Sequence, residues 1–176
     1  MSVTLVLGGA RSGKSRFAES LAHGYKHYIA TARAEDEEMR ERIAHHKARR
    51  GNGWTTHEER YHLAGILRPL NIEGNFVVVD CLTIWLSNLM LAERDWHTAA
   101  DLLCSALKEQ RADIVLVSNE VGLGIVPIMP LGRDFRDAQG LLNQQVAAVA
   151  DNVVFVAAGL PLVLKGELPR RAARPT

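Results

Sequence analysis

The sequence predicts an α/β fold in which a mostly parallel β-sheet is flanked by helices on both faces. Short apolar runs alternate with segments of helical periodicity along the chain, the order expected of βα units. The runs are predominantly apolar on both faces, as strands buried between two helical layers must be. A glycine-rich turn joins the first run directly to the first helical segment. At 176 residues the chain suits one domain with a real core. We place that domain at residues 1–166, with residues 167–176 as a flexible tail.

In chain order, Val3 to Leu7 forms the first strand and Arg16 to His23 the first helix. Tyr28 to Ala30 is the second strand. Asp36 to Arg49 follows as a helix whose acidic start and basic end complement its macrodipole. Phe76 to Val79 is a buried strand, followed by helical segments at Leu82 to Ala92 and Thr98 to Gln110. Ile114 to Val117, the helix Arg133 to Ala150 and Val153 to Ala157 complete the alternation. Leu160 to Lys165 adds an edge strand, with Pro161 tolerated near its start. Glu167 to Thr176, rich in Arg and Pro, reads as a loose terminus.

The balance of 21 basic against 20 acidic residues leaves a formal charge of +1, so the chain lacks the electrostatic footprint of a nucleic-acid binder. Its partners are expected to be small molecules. Cys81 and Cys104 show no paired metal-ligand spacing and are expected to be reduced thiols. No run of roughly 18 apolar residues is present to span a bilayer. A soluble, cytoplasmic protein is expected.

The strongest chemical signal is Gly8-Gly9-Ala10-Arg11-Ser12-Gly13-Lys14-Ser15, a complete Gly-x-x-x-x-Gly-Lys-Ser phosphate loop between a strand and a helix. Its glycines let backbone N–H groups turn inward around a polyphosphate, and the following helix points its positive end at the same charge. The motif predicts nucleoside triphosphate binding, with Lys14 on the β- and γ-phosphates and Ser15 on Mg²⁺. Ligands of such sheets gather beyond the carboxyl ends of the strands. Thr31-Ala32-Arg33, Asp80, Asn119-Glu120-Val121-Gly122 and Gly159 are therefore the further candidates. Asp80 fits either a metal-linked carboxylate or a cap for the helix after it. Asn119 to Gly124 fits either a substrate loop or a plain βα connection.

Within Asp36 to Arg49, Met39, Ile43 and His46 share the apolar face, where a histidine is usually packed and hydrogen-bonded. His45 points about 100° away. Its neighbours one turn to either side are Arg42 and Arg49, a flank able to present two guanidinium groups to a phosphate. A histidine so placed can attack phosphorus and form a covalent phosphoramidate. A purely structural pair of histidines remains the alternative at this point. His23, His27, His57, His62 and His97 are scattered and read as ordinary surface or core residues.

The chain resembles the bifunctional adenosylcobinamide kinase/adenosylcobinamide-phosphate guanylyltransferase family of cobalamin biosynthesis. The resemblance is carried by the phosphate loop, Tyr28-Ile29-Ala30-Thr31, Arg42-Ile43-Ala44-His45-His46-Lys47, Trp54, and Ser118-Asn119-Glu120-Val121-Gly122-Leu123-Gly124-Ile125-Val126-Pro127. The segments containing His45-His46-Lys47 and Asn119 to Pro127 are far more specific than the loop. The resemblance implies a recombinase-like P-loop NTPase fold and a homotrimer. It implies phosphorylation of adenosylcobinamide with ATP or GTP, then transfer of GMP from GTP to the new phosphate with release of pyrophosphate. It further implies that GMP travels on a covalent guanylyl-histidine, matching His45, and that activity falls in acid because the attacking imidazole must be neutral. Nucleotide contacts are implied at Gly8, Gly9, Ala10, Arg11, Ser12, Gly13, Lys14, Ser15, Thr31, Ala32, Arg33, His46, Lys47, Ala48, Arg49, Glu58 and Asp80, with Ser15 and Asp80 on the metal. The basic tail beyond Lys165 departs from the family pattern. The rival readings are a simple small-molecule kinase and a nucleotide-dependent switch or nucleic-acid-handling protein of the recombinase type.

Overall fold

The computed structural model describes residues 1–32 and 53–168. Seven strands, β1 (Val3–Gly8), β2 (Tyr25–Ala30), β3 (Trp54–Glu58), β4 (Asn75–Asp80), β5 (Asp113–Asn119), β6 (Asn152–Ala157) and β7 (Leu160–Lys165), form one sheet. Its order is β3-β2-β4-β5-β1-β6-β7. Every pairing is parallel except β6 with β7, which is an antiparallel hairpin. The described residues also form five helices: α1 (Lys14–Ser20), α2 (Leu63–Leu70), α3 (Leu82–Leu91), α4 (Trp96–Lys108) and α5 (Pro130–Val149).

Side chains alternate across the central strands, so one apolar run feeds two cores. Val3, Leu5 and Leu7 of β1 join Leu82, Trp85, Leu86, Leu103, Leu107, Leu142 and Val146 of α3, α4 and α5 on one face. Val6 faces the other way, toward Phe17, Ala18 and Leu21 in and just beyond α1, with Val78, Val115 and Val154 of the neighbouring strands. Each fully buried large apolar side chain contributes roughly 1.5–3 kcal/mol. Helices cover both faces, as the sequence predicts.

The differences lie at the less apolar end of the sheet. β2 begins at Tyr25, three residues before the expected strand, because Tyr25, Lys26 and His27 are exposed or half-buried and carry no apolar run. β3 is an edge strand with the sequence WTTHE; among its residues only Trp54 and His57 are partly buried. α2 contains Gly65 and, in its last turn, Pro69, breakers that mask the spacing of its buried Leu63 and Leu67. α1 starts at Lys14 because Gly13, in the left-handed region at φ 100°, supplies its N-cap. The expected helix from Asp36 to Arg49 lies outside the described residues.

At the other edge, Lys165 Nζ donates to the carbonyls of Ala147, Ala148 and Ala150 at 3.0, 3.1 and 2.6 Å, placing a cation at the C-terminal end of α5. The Glu167 N–H is held by Asn152 Oδ1 at 3.0 Å. Residues 169–176, most of the expected tail, lie outside the described residues. β1 sits between β5 and β6, so the carboxyl ends of β1, β4, β5 and β6 open on one edge, where ligands of this architecture collect.

Candidate active site

The phosphate loop turns at that edge through two residues in the left-handed region, Arg11 at φ 54° and Gly13 at φ 100°. A side chain is excluded at Gly8, where a Cβ would collide with the carbonyl oxygen of Val156. At Gly13 a Cβ would stand 3.2 Å from Gly159 Cα. The loop is tied to its neighbours through the backbone. Glu120 N–H donates to Gly8 O at 3.0 Å, and Gly159 N–H donates to Ser12 O at 2.8 Å. Lys14 lies 8% exposed, its Nζ donating to Gly9 O at 2.7 Å. Burial pushes its amine below the usual lysine range, while nearby Cys81 and Asp80 oppose that shift.

Asp80 ends β4 and its Oδ2 accepts the Tyr28 hydroxyl at 2.7 Å. The helix-cap alternative for Asp80 is not what the structure holds. Cys81 is the N-cap of α3, its Sγ accepting the Ile84 N–H at 3.5 Å. Burial, followed by the neighbouring Asp80 charge, pushes the Cys81 thiol up to about 11. At pH 8 the native protein is therefore expected to resist alkylation at Cys81, which should become modified on unfolding in urea, as peptide mass spectrometry would read.

Thr31 is fully buried and its hydroxyl bridges both backbone groups of Cys81, accepting from the N–H at 2.9 Å and donating to the carbonyl at 2.8 Å. Its own N–H donates to Asp80 O at 3.2 Å, and its carbonyl accepts from Asn88 Nδ2 at 2.9 Å. The structure thus gives Thr31 the task of fixing the Asp80–Cys81 turn. Replacing it with valine strands two buried backbone groups. T31V is expected to lower the unfolding free energy by about 2–4 kcal/mol, read as a lower urea midpoint at unchanged slope.

The β5 end is held by a buried polar network whose members Thr83, Gln139 and Asn143 are absent from the sequence-based site. Ser118 Oγ donates to Asn143 Oδ1 at 2.7 Å, and Gln139 Nε2 donates to both Ser118 Oγ and Asn143 Oδ1 at 3.0 Å. Asn143 Nδ2 then reaches Asn119 O at 3.1 Å, while Asn119 N–H donates to Thr83 Oγ1 at 2.8 Å. Thr83 thereby joins the start of α3 to the end of β5. The available signal is Gln139 and Asn143 spaced i, i+4 on the buried face of α5, beside Leu142 and Val146. Polar residues in an apolar stripe mark a site that must be satisfied internally.

Arg133 commits its guanidinium to the loop before α5, donating to Pro127 O at 3.1 Å and Ile128 O at 2.6 Å. Arg136 pairs with Asp137 at 2.9 Å. Glu58 is exposed at the end of β3, four strands from β1 in the sheet order. The carboxylate beside it, Glu59, is engaged by the N–H groups of Tyr61 and His62 at 2.8 and 2.9 Å. These bonds outweigh burial and hold its carboxyl below the usual range. Of the other histidines, His23 pairs with Asp113 at the opposite end of the sheet, and His27 and His57 meet at 3.2 Å across β2 and β3.

The described site therefore assembles Gly8 through Ser15, Thr31, Ala32 and Asp80 on one edge. Arg33, His45, His46, Lys47, Ala48 and Arg49 lie outside the described residues. A Mg-triphosphate fits what is present. Among the described residues Ser12 Oγ, buried inside the loop, has no hydrogen-bond partner, an acceptor or donor left for a ligand. Among the described residues no group of three or more His, Cys, Asp or Glu side chains could hold a metal ion. Among the same residues no helix is long and apolar enough to cross a membrane.

A model of the family described as cobinamide kinase / cobinamide phosphate guanyltransferase matches residues 4–164. The chain is 49% identical over 168 residues to the bifunctional adenosylcobalamin biosynthesis protein CobP of Pseudomonas aeruginosa, covering 93% of this chain and 97% of that one. It is 40% identical over 178 residues to the bifunctional adenosylcobalamin biosynthesis protein CobU of Salmonella typhimurium, covering 92% and 98%. Among solved structures it is similar to an ATPase from the type III secretion system of pathogenic bacteria, with a TM-score of 0.55 at 12% identity over 92% of this chain and 56% of that one. It is also similar to the flagellar accessory protein FlaH of Methanocaldococcus jannaschii, with a TM-score of 0.51 at 10% identity, covering 98% and 82%. At such identities these structures speak to fold alone, that of P-loop NTPases.

Proposed function

The chain belongs to the cobinamide kinase / cobinamide phosphate guanyltransferase family, and we propose that it carries two successive reactions around one phosphate loop. In the first, the hydroxyl of adenosylcobinamide attacks the γ-phosphorus of ATP or GTP. In the second, GMP passes from GTP to the resulting phosphate, giving adenosyl-GDP-cobinamide and pyrophosphate. The observation that carries this reading is the loop itself, with Lys14 buried in it and Asp80 beside it.

In the kinase step, the loop N–H groups and Lys14 hold the β- and γ-phosphates and oppose the charge that develops on them. Mg²⁺ held by Ser15 and Asp80 would neutralise part of the same charge. In the guanylyl step, the loop keeps its grip on the β- and γ-phosphates, which now form the leaving group. A His45 ring nitrogen forms a bond to the α-phosphorus as the bond to the β-phosphate oxygen breaks and pyrophosphate departs. An oxygen of adenosylcobinamide phosphate then displaces the histidine. Arg33, His46, Lys47, Ala48 and Arg49 are proposed to line the nucleotide. Glu58 sits roughly 19 Å from β1 at ordinary strand spacing, a separation that suits the nucleoside end rather than the phosphates. The exposed Leu160, Leu162 and Leu164 of β7 support an oligomer, and the proposed trimer is read by light scattering.

The test is incubation with GTP labelled at the α-phosphate, followed by peptide mass spectrometry. An acid-labile GMP adduct on the peptide containing His45 is expected. Its absence at every pH would favour a simple small-molecule kinase in which both histidines are structural.

A further inference from the structure

The two proposed reactions differ in one chemical demand. Phosphorylating an alcohol requires removal of a hydroxyl proton, whereas the guanylyl steps use an imidazole lone pair and a phosphate oxygen that is already anionic. The kinase step alone needs a base. Among the described residues, the carboxylates at the phosphate loop are Asp80 and Glu120. Asp80 accepts the Tyr28 hydroxyl and opposes the depression of the Lys14 amine, so it serves the cationic side of the site.

Glu120 is placed differently. Its N–H donates to Gly8 O at 3.0 Å, which fixes its main chain to the first residue of the loop. Its Oε1 accepts the Gly122 N–H at 2.6 Å, which fixes the carboxylate. Oε2 has no hydrogen-bond partner among the described residues. A Cβ on Gly122 would stand 2.9 Å from Oε1, so a side chain there would shift the carboxylate. The main chain then runs into a surface where Leu123, Ile125 and Ile128 are 83%, 98% and 92% exposed. An apolar surface of this kind suits a bulky acceptor, and it begins three residues from a half-buried carboxylate.

We infer that Glu120 is the general base of the kinase step and takes no part in guanylyl transfer. This rests on the two-reaction reading proposed above. As the acceptor oxygen bonds to the γ-phosphorus, its proton passes to Glu120 Oε2. The bond from the γ-phosphorus to the bridging oxygen breaks, the nucleoside diphosphate leaves, and the carboxyl later returns its proton to water.

The experiment compares the full chain with E120Q in two assays. One follows phosphorylation of adenosylcobinamide, and the other follows guanylylation of adenosylcobinamide phosphate supplied ready-made. In E120Q the kinase kcat is expected to fall about 10²–10³-fold, the range of general base catalysis. The KM for nucleotide should stay within about threefold, and guanylylation should keep its rate within about the same margin. A kinase kcat within threefold of the parent, or an equal loss of both activities, overturns the inference. G122A, which keeps the carboxylate but displaces it, is expected to lower the same kcat at least tenfold; full kinase activity in G122A counts against the inference. If the parent itself phosphorylates no adenosylcobinamide, the two-reaction reading fails rather than the assignment of Glu120.

Discussion

Lys14→Ala is expected to remove both activities, each by about 10³-fold, the scale at which one preorganised donor to a developing charge contributes. Both reactions break a bond within the triphosphate, and both need its outer phosphates held: as the transferred group in one, as the leaving group in the other. The Lys14 amine is suited to this because it is buried, and charge acts more strongly where water is scarce. The same burial depresses its pKa. The protonated form is the active one, so kcat/KM is present below the folded pKa and is lost as pH rises through it, at lower pH than for an exposed lysine. In K14A that alkaline limb should disappear with the activity. Because a desolvated charge is removed, the protein without nucleotide is expected to melt within a few degrees of the parent. The rise in melting temperature on adding GTP should vanish. Guanylylation surviving intact in K14A would refute the shared loop.

The parts of the fold legible in the sequence are those where burial is complete. β1, β4 and β5 read as largely apolar runs because helices press on both of their faces, and the hairpin strand β7 is delimited by Gly159 and Gly166. β3 escapes the same reading because an edge strand is half solvated. Thr55 and Thr56 are exposed, leaving only a Trp and two β-branched residues as a signal. α2 escapes because Gly65 and Pro69 argue against a helix locally, whereas Leu63 and Leu67 are held in it by the core formed with α3 and α4.

The site divides along a similar line. Residues whose backbone geometry is written in glycine and lysine, Gly8 through Lys14, are read directly. Those whose role is to hold others are not. Thr31 looks like a ligand contact at the end of a strand, yet its hydroxyl is committed to Cys81. Thr83, Gln139 and Asn143 act through partners far away in sequence, 36, 21 and 25 residues for the bonds they make to Asn119 and Ser118. Such pairings depend on the order of strands in the sheet, and no local pattern encodes them.

His45→Ala is expected to separate the two reactions in the sense opposite to E120Q. Guanylylation should fall by more than about 10³-fold, since a lost nucleophile removes the covalent route altogether. Phosphorylation of adenosylcobinamide should persist, because it asks only for the loop, Lys14, the metal and a base. The paired control is His46→Ala. If the apolar spacing of Met39, Ile43 and His46 reflects packing, H46A should weaken the protein or its nucleotide affinity while the GMP adduct still forms on His45. A label that survives H45A and is lost in H46A would reverse the roles of the two histidines. Mixing H45A with E120Q adds a further constraint. If each variant is deficient in a different step, the pair together should convert adenosylcobinamide and GTP to adenosyl-GDP-cobinamide, with the phosphorylated intermediate released by one protein and captured by the other. Recovery of product in the mixture, and in neither protein alone, would place the hydroxyl base and the phosphorus nucleophile in separate steps served by one phosphate loop.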